Sequence, residues 1–174
     1  MAARRILVIG GIRSGKTSLA ESLATESGRA VIYLATASAG DEEMAQRIKR
    51  HQDSRPRSWG LSEAPVELAA ELNRLAQEAK PPQLLIDCMS LWVSNLLFAG
   101  DAVFAKERAA FLKALKAYPG PVVVVSNEVG LGTIGMDPLT RRFCDELGWL
   151  NQALGQVCDR VLMSVAGLPL TLKG

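Results

Sequence analysis

The chain has 174 residues, of which 48% are hydrophobic and 22% charged, and its formal net charge is +2. This composition is typical of a globular protein of one domain, and it excludes a disordered or collagen-like chain. A charge so near balance gives no electrostatic reason to expect nucleic acid or an acidic membrane surface as a partner.

Short apolar segments bounded by turn residues predict the strands of a sheet. They lack polar alternation, as parallel strands covered on both faces do. In chain order they are Ile6–Ile9, Ala30–Ala35, Leu84–Cys88, Val122–Val125 and Val161–Val165. Segments with the helical spacing of apolar residues lie between them: Lys16–Ser27, Asp41–Gln52, Pro65–Ala79, Ser90–Phe98, Ala102–Tyr118 and Pro138–Cys158.

This alternation predicts an α/β fold in which a mostly parallel sheet carries helices on both faces. The tail Leu162–Lys173 has Gly167-Leu168-Pro169 between two short apolar runs, which predicts a closing antiparallel hairpin at one edge of the sheet. Since no linker or repeat interrupts the pattern, we expect residues 1–174 to form a single domain.

The cysteines and the apolar runs indicate the cellular compartment of the protein. Cys88, Cys144 and Cys158 are widely spaced, and with one histidine in the chain they cannot form a zinc set. Reduced thiols in a cytoplasmic protein are therefore expected. The apolar run before Gly10 is too short for a signal-peptide core, and no run reaches the roughly 18 apolar residues of a membrane span.

A phosphate-binding loop is predicted directly after the first strand. The run Gly-Gly-Ile-Arg-Ser-Gly-Lys-Thr fits the pattern Gly-x-x-x-x-Gly-Lys-Ser/Thr and precedes a predicted helix, which is the context that this motif requires. Its glycines let consecutive N–H groups point at one phosphate chain, and the helix N-terminus adds partial positive charge. The predicted nucleotide-binding residues here are Gly10, Gly11, Ile12, Arg13, Ser14, Gly15, Lys16 and Thr17.

Lys16 can reach the β- and γ-phosphates, and the Thr17 hydroxyl can bind Mg²⁺. A partner carboxylate is expected at the end of another strand, and Asp87 fits that position; the alternative is that Asp87 caps the following helix. Glu128 and Thr36 also follow strands and should face the same crevice, although Glu128 is equally well explained as a solvated carboxylate. Gly130 and Gly132 would let the next loop move over the site.

The only histidine, His51, lies in a strongly basic segment. By helical spacing it shares a face with Met44 and Ile48, which favours a packed structural histidine. Five cationic side chains nevertheless surround it in sequence, between Arg47 and Arg57. Cations favour the neutral imidazole and stabilise a departing pyrophosphate, so the segment is also typical of an anion site that contains a nucleophile.

These residues together resemble the bifunctional adenosylcobinamide kinase / adenosylcobinamide-phosphate guanylyltransferase family of cobalamin biosynthesis. The resemblance covers nearly the whole chain. It includes the glycine-rich run at 10–17, the segment from Arg47 through His51 to Trp59, the run Ser-Asn-Glu-Val-Gly at 126–130, and the closing Val-Ala-Gly-Leu-Pro at 165–169. The histidine segment and the Asn-Glu-Val-Gly run make the match narrow.

The resemblance implies a RecA-like P-loop NTPase fold, a homotrimer and two reactions. In the first, ATP or GTP phosphorylates adenosylcobinamide with Mg²⁺ as cofactor. In the second, His51 attacks the α-phosphate of GTP, and adenosylcobinamide phosphate takes the GMP from the guanylyl-histidine to give adenosylcobinamide-GDP. Lys16 and His51 are then the catalytic residues. Further nucleotide contacts are implied for Ala35, Thr36, Ala37, Gln52, Asp53, Ser54, Arg55, Glu63 and Asp87, with Thr17 and Asp87 as metal ligands.

Some positions depart from the family pattern: Gln52 stands where Lys is frequent, Ser54 where Gly is frequent, and Asp87 where some relatives carry Glu. The chain lacks the Asn-Lys-x-Asp motif by which signalling GTPases read guanine, so the preference for GTP rests on the resemblance. Two alternatives remain. One is a monofunctional P-loop small-molecule kinase with a structural His51. The other is a RecA-like ATPase that binds a polymer, which the 5% aromatic content and balanced charge disfavour.

Overall fold

One seven-stranded sheet organises the molecule. In the computed structural model, which describes residues 4–37 and 56–174, the strands lie in the order β3-β2-β4-β5-β1-β6-β7. Their bounds are β1 Arg5–Gly10, β2 Val31–Ala35, β3 Gly60–Glu63, β4 Gln83–Asp87, β5 Val122–Asn127, β6 Arg160–Val165 and β7 Leu168–Lys173. All neighbours pair in parallel except β6 and β7, which form the predicted antiparallel hairpin at the edge.

Five helices connect the described strands: α1 Lys16–Glu26, α2 Leu68–Leu75, α3 Met89–Ala99, α4 Asp101–Ala117 and α5 Pro138–Val157. Alternate strand residues pack on opposite faces of the sheet, because successive side chains of a strand point to opposite sides. Leu7 and Ile9 of β1 join a core with α2, α3, α4 and α5, whereas Val8 joins a second core with α1. Helices therefore cover both faces, as predicted, and none of those in the described ranges is long and apolar enough to cross a membrane.

The edge strand β3 was not predicted. Its sequence Gly-Leu-Ser-Glu has no β-branched residue, and among the described strands it pairs with β2 alone, where Ala35 lies opposite Glu63. A short, half-exposed edge strand needs little burial, so it leaves no apolar signal in the sequence. The predicted helix Asp41–Gln52 lies outside the described residues.

Helix α2 begins at Leu68 rather than at the predicted Pro65. Side chains of α3 donate hydrogen bonds to the carbonyl groups at the start of this segment. Trp92 Nε1 donates to Val66 O over 2.8 Å, and Asn95 Nδ2 donates to Pro65 O over 2.9 Å. Since those carbonyls are bonded to side chains, the segment enters the helix three residues later. These bonds also connect α3 to the sheet's carboxyl edge, because Asn95 Nδ2 donates to Thr36 O as well.

Candidate nucleotide site

The glycine-rich loop joins β1 to α1 at the carboxyl edge of the sheet, as its motif predicts. Two residues of the loop adopt positive φ, Arg13 at 55° and Gly15 at 89°. Within the loop, Ser14 N donates to Gly11 O over 3.3 Å, and Leu19 N donates to Gly15 O over 3.1 Å as the helix begins. The chain therefore turns tightly from strand into helix, with Lys16 as the first helical residue.

The N-terminus of α1 is arranged for an anion. None of the described side chains caps it, and its first turn contains no acidic residue. Its first N–H groups are consequently left for a ligand, and the helix dipole gives this end partial positive charge. The buried hydroxyl of Ser14 likewise has no hydrogen-bond partner in the part of the chain that the structure describes. An uncapped helix end and an unpaired buried hydroxyl fit a phosphate chain.

Lys16 extends back over the loop. Its Nζ donates to Gly11 O over 3.0 Å, and the side chain is half-buried. Burial lowers the pKa of Lys16, while the neighbouring Cys88 and Asp87 act in the opposite direction. Asp87, the predicted metal-binding carboxylate, ends β4, and Cys88 follows it.

Strand register aligns several predicted residues along one edge. Ala35 lies opposite both Glu63 on β3 and Asp87 on β4. Gly10 ends β1 between Asn127 of β5 and Ser164 of β6. Parallel pairing thus brings together residues that are far apart in sequence, at the edge where ligands of open α/β sheets bind.

Asp87 is held by a phenol: Tyr33 Oη donates to Asp87 Oδ2 over 3.0 Å. The N-cap of α3 is Cys88, and none of the side chains that the structure describes makes a capping bond there, so the alternative role of Asp87 as a helix cap is not the arrangement found. An ionised carboxylate and the Thr17 hydroxyl are hard oxygen donors of the kind Mg²⁺ prefers, and Mg²⁺ usually takes only one or two such ligands beside phosphates and water. The donor set therefore fits Mg²⁺, and among the described residues no cluster of three His, Cys, Asp or Glu forms a separate metal site.

Thr36 is fully buried and its hydroxyl is engaged in the fold. Thr36 Oγ1 donates to Cys88 O over 2.7 Å and accepts from Cys88 N over 2.8 Å. A predicted nucleotide contact at Thr36 would consequently not use a free hydroxyl. Next to it, Cys88 Sγ lies 3.0 Å from Ser90 Oγ, which accepts from Asn127 Nδ2 over 2.7 Å, and burial raises the pKa of the Cys88 thiol.

Glu128 follows β5 directly beside the loop, because its N–H donates to Gly10 O over 3.0 Å. One of its carboxylate oxygens, Oε1, accepts from Gly130 N over 2.8 Å. The position agrees with the expectation that Glu128 faces the crevice. Of the other predicted nucleotide contacts, Ala37 is half-buried and Glu63 exposed.

The remaining predicted residues lie outside the described ranges: His51, Gln52, Asp53, Ser54 and Arg55. Conversely, the structure places two residues against the loop that sequence reasoning did not assign to the site. Ser164 and Gly167, from the C-terminal hairpin, both donate to Ser14 O. The only signal for them was the Val-Ala-Gly-Leu-Pro run, which predicted a turn but not its contact.

Comparison with known proteins identifies the family. The model of the family described as cobinamide kinase / cobinamide phosphate guanyltransferase matches residues 6–172. The chain belongs to this family. The resemblance drawn from the sequence is thereby confirmed.

Curated relatives match over nearly their whole length. The chain is 50% identical over 171 residues to the bifunctional adenosylcobalamin biosynthesis protein CobP of Pseudomonas aeruginosa, covering 98% of each protein. It is 37% identical over 182 residues to the bifunctional protein CobU of Salmonella typhimurium, covering 97% of this chain and 99% of that one.

Solved structures share the fold. An ATPase of a bacterial type III secretion system has a TM-score of 0.59 at 12% identity, and the match covers 97% of this chain and 56% of that one. The RadB recombinase has a TM-score of 0.52 at 18% identity, with 91% and 73% covered. At these identities the likeness concerns the fold alone, and it confirms the predicted RecA-like P-loop architecture.

Proposed function

We propose that this chain is a bifunctional enzyme that phosphorylates adenosylcobinamide and then converts the product to adenosylcobinamide-GDP with GTP. One observation carries the proposal: a chain of the cobinamide kinase / cobinamide phosphate guanyltransferase family has its glycine-rich loop formed and its Lys16 directed onto it. The names of the relatives CobP and CobU, both called bifunctional, support the assignment of two activities.

In the kinase step, the substrate hydroxyl attacks the γ-phosphorus of the triphosphate. The bond to the β–γ bridging oxygen breaks, a nucleoside diphosphate leaves, and the hydroxyl proton passes to water. The N–H groups at the start of α1 and the ammonium of Lys16 bind the phosphate oxygens and neutralise their charge. Thr17 and Asp87 would hold Mg²⁺, which supplies charge neutralisation at the phosphates when it is bound.

In the guanylyl transfer step, we assign the nucleophile to His51. One imidazole nitrogen forms a bond to the α-phosphorus of GTP while pyrophosphate leaves. The phosphate oxygen of adenosylcobinamide phosphate then attacks the same phosphorus, and the phosphorus–nitrogen bond breaks, which restores the histidine. The support is chemical and lies in the sequence: a lone histidine among five cations suits attack on a phosphate and release of an anion.

The finer features belong to the same proposal. The nucleotide is contacted by the loop residues 10–17 and by Ala35, Thr36, Ala37, Gln52, Asp53, Ser54, Arg55, Glu63 and Asp87. The whole chain acts as one domain, in the cytoplasm, and assembles as a homotrimer. The single sheet, to which strands from both ends of the described chain contribute, supports one domain, and the register that aligns Glu63, Ala35 and Asp87 supports a shared nucleotide site. The cytoplasmic location and the homotrimer are proposed from the family resemblance alone.

The test is covalent labelling with GTP that carries a label on its α-phosphate. We expect the wild-type protein to retain an acid-labile, base-stable label, and adenosylcobinamide phosphate to remove it. His51→Ala should abolish labelling and guanylyl transfer while it retains kinase activity, because the glycine-rich loop is a separate segment of the chain. His51→Asn, which keeps the polarity and approximate size of the side chain, is the matched control for misfolding.

Label that persists in His51→Ala would remove His51 as the nucleophile. A wild-type protein that phosphorylates adenosylcobinamide but takes no label from GTP would instead support the alternative, a monofunctional kinase with a structural histidine.

A further inference from the structure

Two residues of the C-terminal hairpin donate hydrogen bonds to the same carbonyl group of the glycine-rich loop. Ser14 O accepts two hydrogen bonds, one from Ser164 Oγ over 2.7 Å and one from Gly167 N over 2.8 Å. Ser164 lies beside Gly10, one residue before the end of β6, and is 1% exposed, so its hydroxyl is shielded from water. A buried carbonyl with two donors is a strongly specified contact.

The conformation of the hairpin turn fixes the direction of the Gly167 N–H group. Ala166 and Gly167 connect β6 to β7 with φ of 51° and 79°, the two-residue turn with positive φ that matches the twist of paired strands. The backbones also lie in close contact. A Cβ on Gly15 would be 2.9 Å from Gly167 Cα, and a Cβ on Gly10 would be 2.8 Å from Ser164 O.

The hydrogen bonds to the Ser14 carbonyl determine the direction of the Gly15 N–H group. The Ser14–Gly15 peptide bond is trans and therefore planar, with its N–H directed opposite to its C=O. Because both donors approach the carbonyl from the hairpin, the Gly15 N–H must point away from the hairpin. Gly15 is the N-cap of α1, so this amide belongs to the group of donors that the helix leaves for an anion.

We propose that Ser164 is a positioning residue for the nucleotide: with the Gly167 amide, its hydroxyl holds the Ser14–Gly15 peptide in the orientation that binds phosphate. This inference rests on the proposed function of the glycine-rich loop as the triphosphate site. Ser164 itself touches the loop and not the substrate, and its effect is transmitted through one rigid peptide unit.

The experiment is the kinetics of Ser164→Ala in the kinase reaction, with the KM of each substrate measured separately. We expect the KM of the nucleoside triphosphate to rise about fivefold to tenfold, as the loss of one buried hydrogen bond implies. The KM of adenosylcobinamide should stay within about twofold of wild type. A merely structural role would lower the active fraction, and thus the apparent kcat, without changing either KM.

Ser126→Ala is the matched control. Ser126 is also fully buried, lies on the other neighbour of β1, and donates from its hydroxyl to Asn151 Oδ1 over 2.6 Å, away from Ser14. We expect this variant to change stability without raising the KM of the triphosphate. Should Ser164→Ala fail to fold, Ser164→Cys retains the volume with a much weaker donor and should raise the same KM.

If Ser164→Ala leaves the KM of the triphosphate unchanged, the positioning role is wrong. It is also wrong if Ser126→Ala raises that KM as much as Ser164→Ala does. Lys16→Ala separates this from failure of the proposed function. If Lys16→Ala weakens triphosphate binding while Ser164→Ala and Ser164→Cys do not, only the positioning role is wrong. If Lys16→Ala leaves binding unchanged, the loop is not the triphosphate site and both proposals are wrong.

Discussion

Two glycine-rich loops leave neighbouring strands at the same edge of the sheet, yet their glycines have different roles. The loop after β1, residues 10–15, lies against other backbone: a Cβ on Gly10 or Gly15 would come within 3.0 Å of Ser164 O or Gly167 Cα. The loop after β5, residues 128–137, is open around its middle glycine, Gly132. A Cβ on Gly132 would meet none of the described atoms within 4 Å, and Leu131 and Met136 are 78% and 94% exposed.

The comparison teaches that a glycine pattern alone does not distinguish a required glycine from a tolerated one. In the first loop, positive φ and close backbone contact leave no space for a side chain at Gly15. In the second, the described hydrogen bonds beyond Glu128 are local, such as Gly130 N to Glu128 Oε1. The first loop is a rigid anion cradle, and the second has the structure expected of a segment that moves.

Gly15→Ala should give the largest effect that separates the two loops. An L-residue in the left-handed conformation costs about 1–2 kcal/mol, and the new methyl group must displace Gly167. We expect triphosphate binding to weaken about tenfold or more and the free energy of unfolding to fall by about 1–3 kcal/mol. Isothermal titration calorimetry and urea denaturation measure the two quantities. Wild-type affinity in this variant would show that the loop tolerates a side chain there.

Asp137→Ala should have a smaller effect, on stability rather than on nucleotide binding. Asp137 ends the second loop and caps α5: its Oδ2 accepts from Thr140 N over 2.8 Å and from Thr140 Oγ1 over 3.0 Å. These bonds hold the pKa of the Asp137 carboxyl below its usual 3.8. The cap therefore contributes its full stabilisation above pH 3.8 and loses it as the pH falls through the lowered pKa.

The melting temperature as a function of pH measures this contribution. Asp137→Ala should melt below the wild type at pH 7, and the difference should shrink when both proteins are measured in increasingly acidic buffer below pH 3.8. Asp137→Asn is the control, because asparagine also caps helices but does not titrate. A difference that grows in acid would contradict the assignment of the cap.

The sequence predicts most of the fold because buried parallel strands are short, apolar and β-branched, as Val122–Val125 is. It also predicts the phosphate loop, whose residues are contiguous. Contacts between distant segments are different. The bond from Ser164 to Ser14 joins residues 150 positions apart, and neither residue carries a motif for it. The predicted start of α2 was wrong for the same reason, because the side chains that bind the carbonyl groups before it, Trp92 and Asn95, come from another helix.

Gly132→Ala should give the smallest effect and thereby tests the other half of the comparison. Its φ lies outside the left-handed region, and a Cβ there would meet no atom within 4 Å among residues 4–37 and 56–174, so alanine fits without strain. Because alanine restricts the unfolded chain, we expect the free energy of unfolding to stay constant or to rise by up to about 1 kcal/mol. Urea denaturation measures it. A clear loss of stability would mean that the second loop is as tightly held as the first, and the distinction between a rigid cradle and a mobile neighbour would be wrong. With stability preserved, a lower kcat in the same variant would report on loop movement, because no contact seen in the fold would have been lost.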